Sequence, residues 1–128
     1  MTATRLFLDS SAWIQYLIEK DSRIVPIVDQ VDGILQTSVL SLYEIKNRLH
    51  QLAVSTKESV KIVEFIQERS QIIPIDSKIA LQAVDFHEKY KLPAIDSLIY
   101  SSARAENAEL LTLDADFSKT PHTILLDK

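Results

Sequence analysis

The chain reads as an α/β protein, a three-layer α/β/α sandwich built on a parallel central sheet. Three observations carry this. Short apolar runs alternate with helix-period patterns along the whole length. Turn punctuation is sparse, with one Gly and four Pro, which fits short connections between helices and strands. Finally, strands that alternate with helices are best joined as parallel neighbours with helices covering both faces of the sheet.

The elements follow in order. Arg5-Leu6-Phe7-Leu8-Asp9 is the first strand, and Ser10 or Ser11 caps a helix that carries Trp13, Ile14 and Leu17 on one face. Residues 34–38 make the second and weakest strand. A helix over 39–53 follows, with Leu42, Ile45, Leu49 and Leu52 at helical spacing. A further helix over 57–69 repeats the pattern through Val60, Val63 and Ile66. The third strand, 71–75, contains Pro74, which lacks the N–H that an interior strand needs; that places it at an edge or at a strand end. Ile79, Ala83 and Phe86 mark another helix and 94–107 the last, flanked by strands at 109–113 and 122–126.

The 128 residues predict a single domain over 1–128, long enough to bury a core. The 46% hydrophobic and 25% charged content is that of an ordinary globular protein. No apolar run reaches the roughly 18–20 residues that span a bilayer, and the N-terminus shows no signal-peptide pattern. With no cysteine there is no disulfide framework, thiolate metal site or thiol nucleophile. A cytoplasmic enzyme or binding domain is the expectation. A net charge of −4 disfavours a general, strongly basic nucleic-acid binder. Setting aside Asp9, Glu44, Asp96, Asp114 and Asp116 turns the balance slightly positive, so a nucleic-acid substrate at a metal site is not excluded.

The informative residues are acids. Asp9 closes the first strand and Asp114 closes Leu110-Leu111-Thr112-Leu113, while Glu44 and Asp96 stand near helix starts. Each has a local explanation. Asp9 can cap the helix after it. Glu44 can complete a capping box with Ser41. Asp96 follows Pro93 in a first helical turn, where a negative charge suits the helix dipole. Asp114 can form an Asx turn. None of these explains why all four fall where an open α/β sheet binds ligands, at the C-terminal edge of its strands. Carboxylates that converge there repel unless a divalent cation joins them. The helix after Asp96 holds mostly small, apolar or aromatic residues, so its acid would sit at the edge of the core, where an unpaired charge is costly. Either Asp114 or Asp116 could point into the crevice; Asp114 comes directly off the strand end and is the first choice, with Asp116 a second ligand or an outer acid.

Phe7-Leu8-Asp9-Ser10-Ser11-Ala12-Trp13-Ile14, Ser41-Leu42-Tyr43-Glu44-Ile45, Pro93-Ala94-Ile95-Asp96-Ser97-Leu98-Ile99 and Leu110-Leu111-Thr112-Leu113-Asp114-Ala115-Asp116-Phe117 together resemble the PIN-domain family. Within it they are most similar to the small VapC-type ribonuclease toxins of toxin–antitoxin pairs. The likeness runs nearly end to end, in the same order and with similar separations. Asp96-Ser97 departs from the Asp-Ala often found there. The resemblance implies a metal-dependent endoribonuclease that hydrolyses RNA phosphodiesters with Mg²⁺, for which Mn²⁺ can substitute. It makes Asp9, Glu44, Asp96 and Asp114 the catalytic acids. Asp9, Asp96 and Asp114 would hold the metal, with Ser10, Thr112 and Asp116 in support. It further implies a homodimer and a separately encoded VapB-type antitoxin as partner. The alternative is a catalytically quiet PIN domain serving as an RNA-binding or protein-interaction scaffold, which the intact acids disfavour. A response-regulator phosphoacceptor would need paired acids after the first strand, and a haloacid-dehalogenase-type phosphatase would need Asp-x-Asp there, where Ser11 stands.

Lys46, Arg48 and Arg104 lie on the two acid-bearing helices within conceivable reach of phosphate, although a solvated face explains any one of them. Lys78, Lys89 and Lys91 are read as solvated, Trp13 as core, and Tyr16 as a possible partner contact. His50, His87 and His122 show no ligand spacing.

Overall fold

A computed structural model describes residues 5–126. Five strands form one parallel sheet: β1 (Arg5–Leu8), β2 (Ile34–Ser38), β3 (Gln71–Ile73), β4 (Glu109–Thr112) and β5 (Thr123–Leu125), in the spatial order β3-β2-β1-β4-β5. Six α-helices connect them: α1 (Ser10–Ile14), α2 (Ile24–Asp29), α3 (Val39–Gln51), α4 (Thr56–Arg69), α5 (Ser77–Tyr90) and α6 (Ala94–Ala105). The α/β sandwich expected from the alternating pattern is therefore the fold observed.

The period of two along the strands sorts the core into two layers. Leu6, Leu8, Leu35 and Leu111 face one side, where they pack with Trp13, Ile24, Ile45, Leu49 and Ile66 from α1 to α4. Phe7, Leu110 and Ile73 face the other, against Ile79 of α5 and Ile99, Tyr100 and Ala103 of α6. Burial on both faces is what makes β1 and β4 continuous apolar runs rather than alternating ones. Pro74 ends β3 and that strand is an edge, as its missing N–H required.

Several boundaries differ from the sequence expectation for local reasons. Asp9 rather than Ser10 or Ser11 caps α1, its side chain accepting from Ala12 N. Ser38 caps α3 through the Leu40 amide. That moves the helix start ahead of Ser41, which is buried inside the helix with its hydroxyl unpartnered. The capping box with Glu44 does not form. Helix α2 was not legible in sequence because Pro26 interrupts Ile24-Val25-Pro26-Ile27-Val28. Pro26 falls in the first turn, where its missing N–H breaks no helical bond. After α1 the chain widens into a π-helical turn over Gln15–Glu19, closed by Lys20 in a left-handed conformation. Helix α6 ends at Ala105, two residues earlier than expected, and Asn107 adopts positive φ just beyond it. Among the described residues no helix is long and apolar enough to cross a membrane.

Candidate metal centre

The strand order positions the site. The chain leaves β1 outward to β2 and β3, then returns to the opposite side of β1 as β4. Between β1 and β4 lies a topological switch point, and a crevice opens there at the C-terminal ends of the strands. Asp9 follows β1 directly, and Asp114 lies two residues beyond β4.

Asp9 is buried and strongly held. Its Oδ1 accepts from the Ala12 amide at 2.9 Å and from Ser11 Oγ at 2.6 Å, while Oδ2 accepts from Thr112 Oγ1 at 2.5 Å. Ser11 Oγ also accepts the Leu113 amide at 3.0 Å, and Thr112 Oγ1 accepts the Asp114 amide at 3.0 Å. Two hydroxyls thus lock the end of β1 to the end of β4. The sequence offered Ser11 only as a helix cap and not as a site residue; the run Asp9-Ser10-Ser11 was its only signal. Burial pushes the Asp9 carboxyl above its ordinary range, opposed by the three hydrogen bonds, with Asp114 adding a smaller push upward.

Glu44 stands in the second turn of α3, half-buried, and its Oε1 accepts Ser10 Oγ at 3.3 Å. Its carboxyl is raised mainly by burial and further by Asp9 and Asp114, with the Ser10 bond opposing. Asp96 is the third residue of α6. Its carboxyl is pushed up to about 7 by burial, then by the charges of Asp114, Asp116, Glu44 and Asp9. All five acids therefore share one electrostatic neighbourhood.

Within it one group is tighter. Carboxylate oxygens of Asp96, Asp114 and Asp116 lie within 4.8 Å of one another. Asp114 is fixed by an Asx turn, its Oδ1 accepting the Asp116 amide at 2.9 Å, and this turn swings Asp116 back toward Asp96. Asp116, expected as a second ligand or as a supporting acid, joins Asp96 and Asp114, while Asp9 sits outside that group with its oxygens turned to Ser11, Thr112 and Ala12. No ion pair to any of the five acids is found among the described residues. The donor set fits a hard divalent cation, because it offers oxygen alone and carries an uncompensated negative charge.

The cations on the acid-bearing helices divide. Arg104 donates to the Ala108 carbonyl and lies 5.9 Å over the Tyr100 ring, at the far end of α6 from Asp96. Lys46 lines a groove between α3 and α4. Arg48 alone borders the cleft beside Glu44 and Ser10. Trp13 is fully buried, as expected, and Tyr16 donates to Asp29 at 2.5 Å. His87 Nδ1 is bonded to the Leu92 carbonyl at 2.6 Å, which ties it to the fold.

A parallel α/β domain whose acids gather at a β1/β4 switch point is the class of protein defined by this fold and site. The PIN-domain family profile matches residues 6–122, and the chain belongs to that family. No curated protein matches the chain by sequence. Solved structures share its fold at low identity. VapBC2 from Rickettsia felis, solved bound to a DNA fragment of its promoter, is 18% identical with a TM-score of 0.79, covering 97% of this chain and 98% of its own. VapC20 from Mycobacterium tuberculosis, described as a toxin that cleaves the sarcin–ricin loop, is 15% identical with a TM-score of 0.77, covering 96% and 99%. VapBC-1 from nontypeable Haemophilus influenzae is 19% identical with a TM-score of 0.77, covering 97% and 98%.

Proposed function

We propose that this protein is a metal-dependent endoribonuclease, the toxin of a VapBC-type toxin–antitoxin pair, acting in the cytoplasm on RNA phosphodiesters. The observation that carries this reading is the meeting of Asp96, Asp114 and Asp116 within 4.8 Å, with Asp9 and Glu44 in the same field and no ion pair to any of them among the described residues. Family membership supports it, as do structural relatives that include an RNA-cleaving toxin and toxin–antitoxin complexes.

Asp96 and Asp114 would hold Mg²⁺ or Mn²⁺, with Asp116 and Asp9 completing the charge around it. Bound there, the ion would supply Lewis-acid charge for the phosphoryl oxygens and for activation of water. The chain's own groups do the rest. Ser11 and Thr112 hold Asp9 in one orientation, so its charge is already in place before substrate arrives. Ser10 steadies Glu44 through one oxygen, leaving the carboxylate's remaining acceptor capacity for an attacking water. Burial raises the affinity of the Glu44 carboxyl for a proton, which suits an acid placed beside an attacking water. A VapB-type antitoxin and a homodimer complete the proposal. Leu81, 73% exposed, and Val84, 54% exposed, give α5 an apolar outer surface in keeping with a protein partner.

The test is cleavage of total cellular RNA with added Mg²⁺ or Mn²⁺ by the wild type, Asp9→Asn and Asp96→Asn. Discrete products that vanish with EDTA and with either substitution are expected. Identical, EDTA-insensitive patterns from all three folded, antitoxin-free proteins would sink the ribonuclease and leave the scaffold reading in its place.

A further inference from the structure

A cleft of about 440 Å³ adjoins the acid centre on the α3 side. Its inner wall is Ser10 and Glu44; its outer wall is a row of side chains on α3 that the proposed chemistry does not use. Tyr43, Asn47 and Gln51 recur every four residues and so stand one above the other on a single helix face, with Arg48 beside them. Gln15 of the π-helical turn also lines the cleft. The volume lies within the range of small-ligand sites, and the lining is mixed in a particular way. Tyr43 is 74% exposed, a large aromatic ring left in solvent. Gln15, Asn47 and Gln51 contribute three carboxamides, each with donors and an acceptor. Arg48 is the only lysine or arginine of the lining, and its Nη1 is within 3.4 Å of Gln51 Oε1.

We propose that this cleft is a base subsite, which takes one unpaired nucleotide of the RNA next to the phosphate held at the acid centre. The proposal rests on the ribonuclease reading and adds to it the residues that read sequence. An exposed ring is a stacking platform for a base face. Carboxamides match the alternating donors and acceptors of a Watson–Crick edge, and a guanidinium suits the flanking phosphate. A paired base exposes neither its face nor that edge, so the subsite selects single strands or loops. The position fits as well. Glu44 borders both the cleft and the acid centre, so a nucleotide seated on Tyr43 leads its backbone toward Asp96 and Asp114.

The test separates binding from cleavage. Fluorescein-labelled octanucleotides of A, C, G and U, and a duplex of mixed sequence, are titrated by anisotropy with Ca²⁺ in place of Mg²⁺, and the RNA is checked afterwards for integrity. The wild type should prefer one single strand over the others and bind the duplex more weakly. Tyr43→Ala should weaken the preferred octamer by about 5-fold or more, while Tyr43→Phe, which keeps the ring, should stay within about 2-fold. Asn47→Ala and Gln51→Ala should flatten the preference among the four bases. Circular dichroism and Mn²⁺ affinity unchanged from wild type would show that these exposed positions leave the fold and the acid centre intact. Equal affinities across wild type and variants, no preference among bases, or duplex bound as tightly as single strand would overturn the subsite even if cleavage is confirmed. Conversely, a base preference lost with Tyr43→Ala in a protein that never cleaves would keep the subsite and sink the ribonuclease.

Discussion

The two ends of the sheet treat charge in opposite ways. At the end where the strands begin, acids have partners. Arg5 donates to the Glu106 carbonyl at 3.0 Å and stands 3.9 Å from its carboxylate. Gln36 Nε2 donates to both Gln71 and Glu106 at 2.8 Å, and His122 lies 3.6 Å from Glu109. At the end where the strands finish, five acids gather, and among the described residues none of them has an ion pair; Asp9, Glu44 and Asp114 accept from hydroxyls and amides instead. Glu106 and Glu109 serve the fold, whereas the carboxyls of Asp9, Glu44 and Asp96 are raised, first by burial and then by the charges of neighbouring acids. Such crowding costs stability, and it is the arrangement expected where a cation completes the structure.

The sharpest way to break this contrast is Asp96→Asn. Metal-dependent RNA cleavage should fall by at least about 100-fold, while the melting temperature of the metal-free protein should rise, because a crowded, partly buried charge is gone. A fall in both would mean that Asp96 is a structural acid and that the contrast is false. Next is Thr112→Val, which keeps the shape of the side chain but removes the donor to Asp9 Oδ2. Mn²⁺ affinity measured by calorimetry should drop about 10- to 100-fold, and Thr112→Ser should restore most of it.

Titration sharpens the comparison further. The Asp96 carboxyl has an ordinary value of 3.8 and stands at about 7 in the folded, metal-free protein. Between these values the folded state binds the extra proton, so metal-free stability should decline as pH rises from about 4 to about 7 and level off above it. Metal binding has the opposite slope. Displacing that proton should make Mn²⁺ affinity climb by up to about tenfold per pH unit until about pH 7. A melting temperature for the metal-free protein that increases across that window would contradict the crowding. The smallest effect belongs to the other end of the sheet. Glu106→Gln breaks a half-exposed pair and should shift the melting temperature by no more than about 5 °C, with cleavage unchanged.

The local parts of this account were legible in sequence. The apolar runs that become β1 and β4 announce themselves by composition, β2 with its Gln36-Thr37-Ser38 was the weakest of the five expectations, and Pro74 marks an edge strand. Acids at strand ends and helix starts are also local facts. So are three of the four modest explanations offered for them: Asp9 does cap α1, Asp96 does sit in a first turn, and Asp114 does form an Asx turn. Only Glu44 departs, because Ser38 caps α3 and the Glu side chain meets Ser10 instead of Ser41. Helix α2 escaped because a proline inside an apolar run looks like a break until one knows which turn it occupies.

The amino-acid order by itself determined the alternation of strand and helix, the two-sided burial of the sheet and the segments that carry carboxylates. Each of these follows from side-chain periodicity and backbone preference within a few residues. The strand order that sets β1 beside β4 came from the tertiary structure. So did the Thr112 hydroxyl that reaches Asp9 across 103 positions of chain, the grouping of Asp116 with Asp96 and Asp114, and the row of Tyr43, Asn47 and Gln51 facing the same crevice. These depend on which distant segments pack together, and that is decided by burial of the whole core, to which no local window of sequence has access.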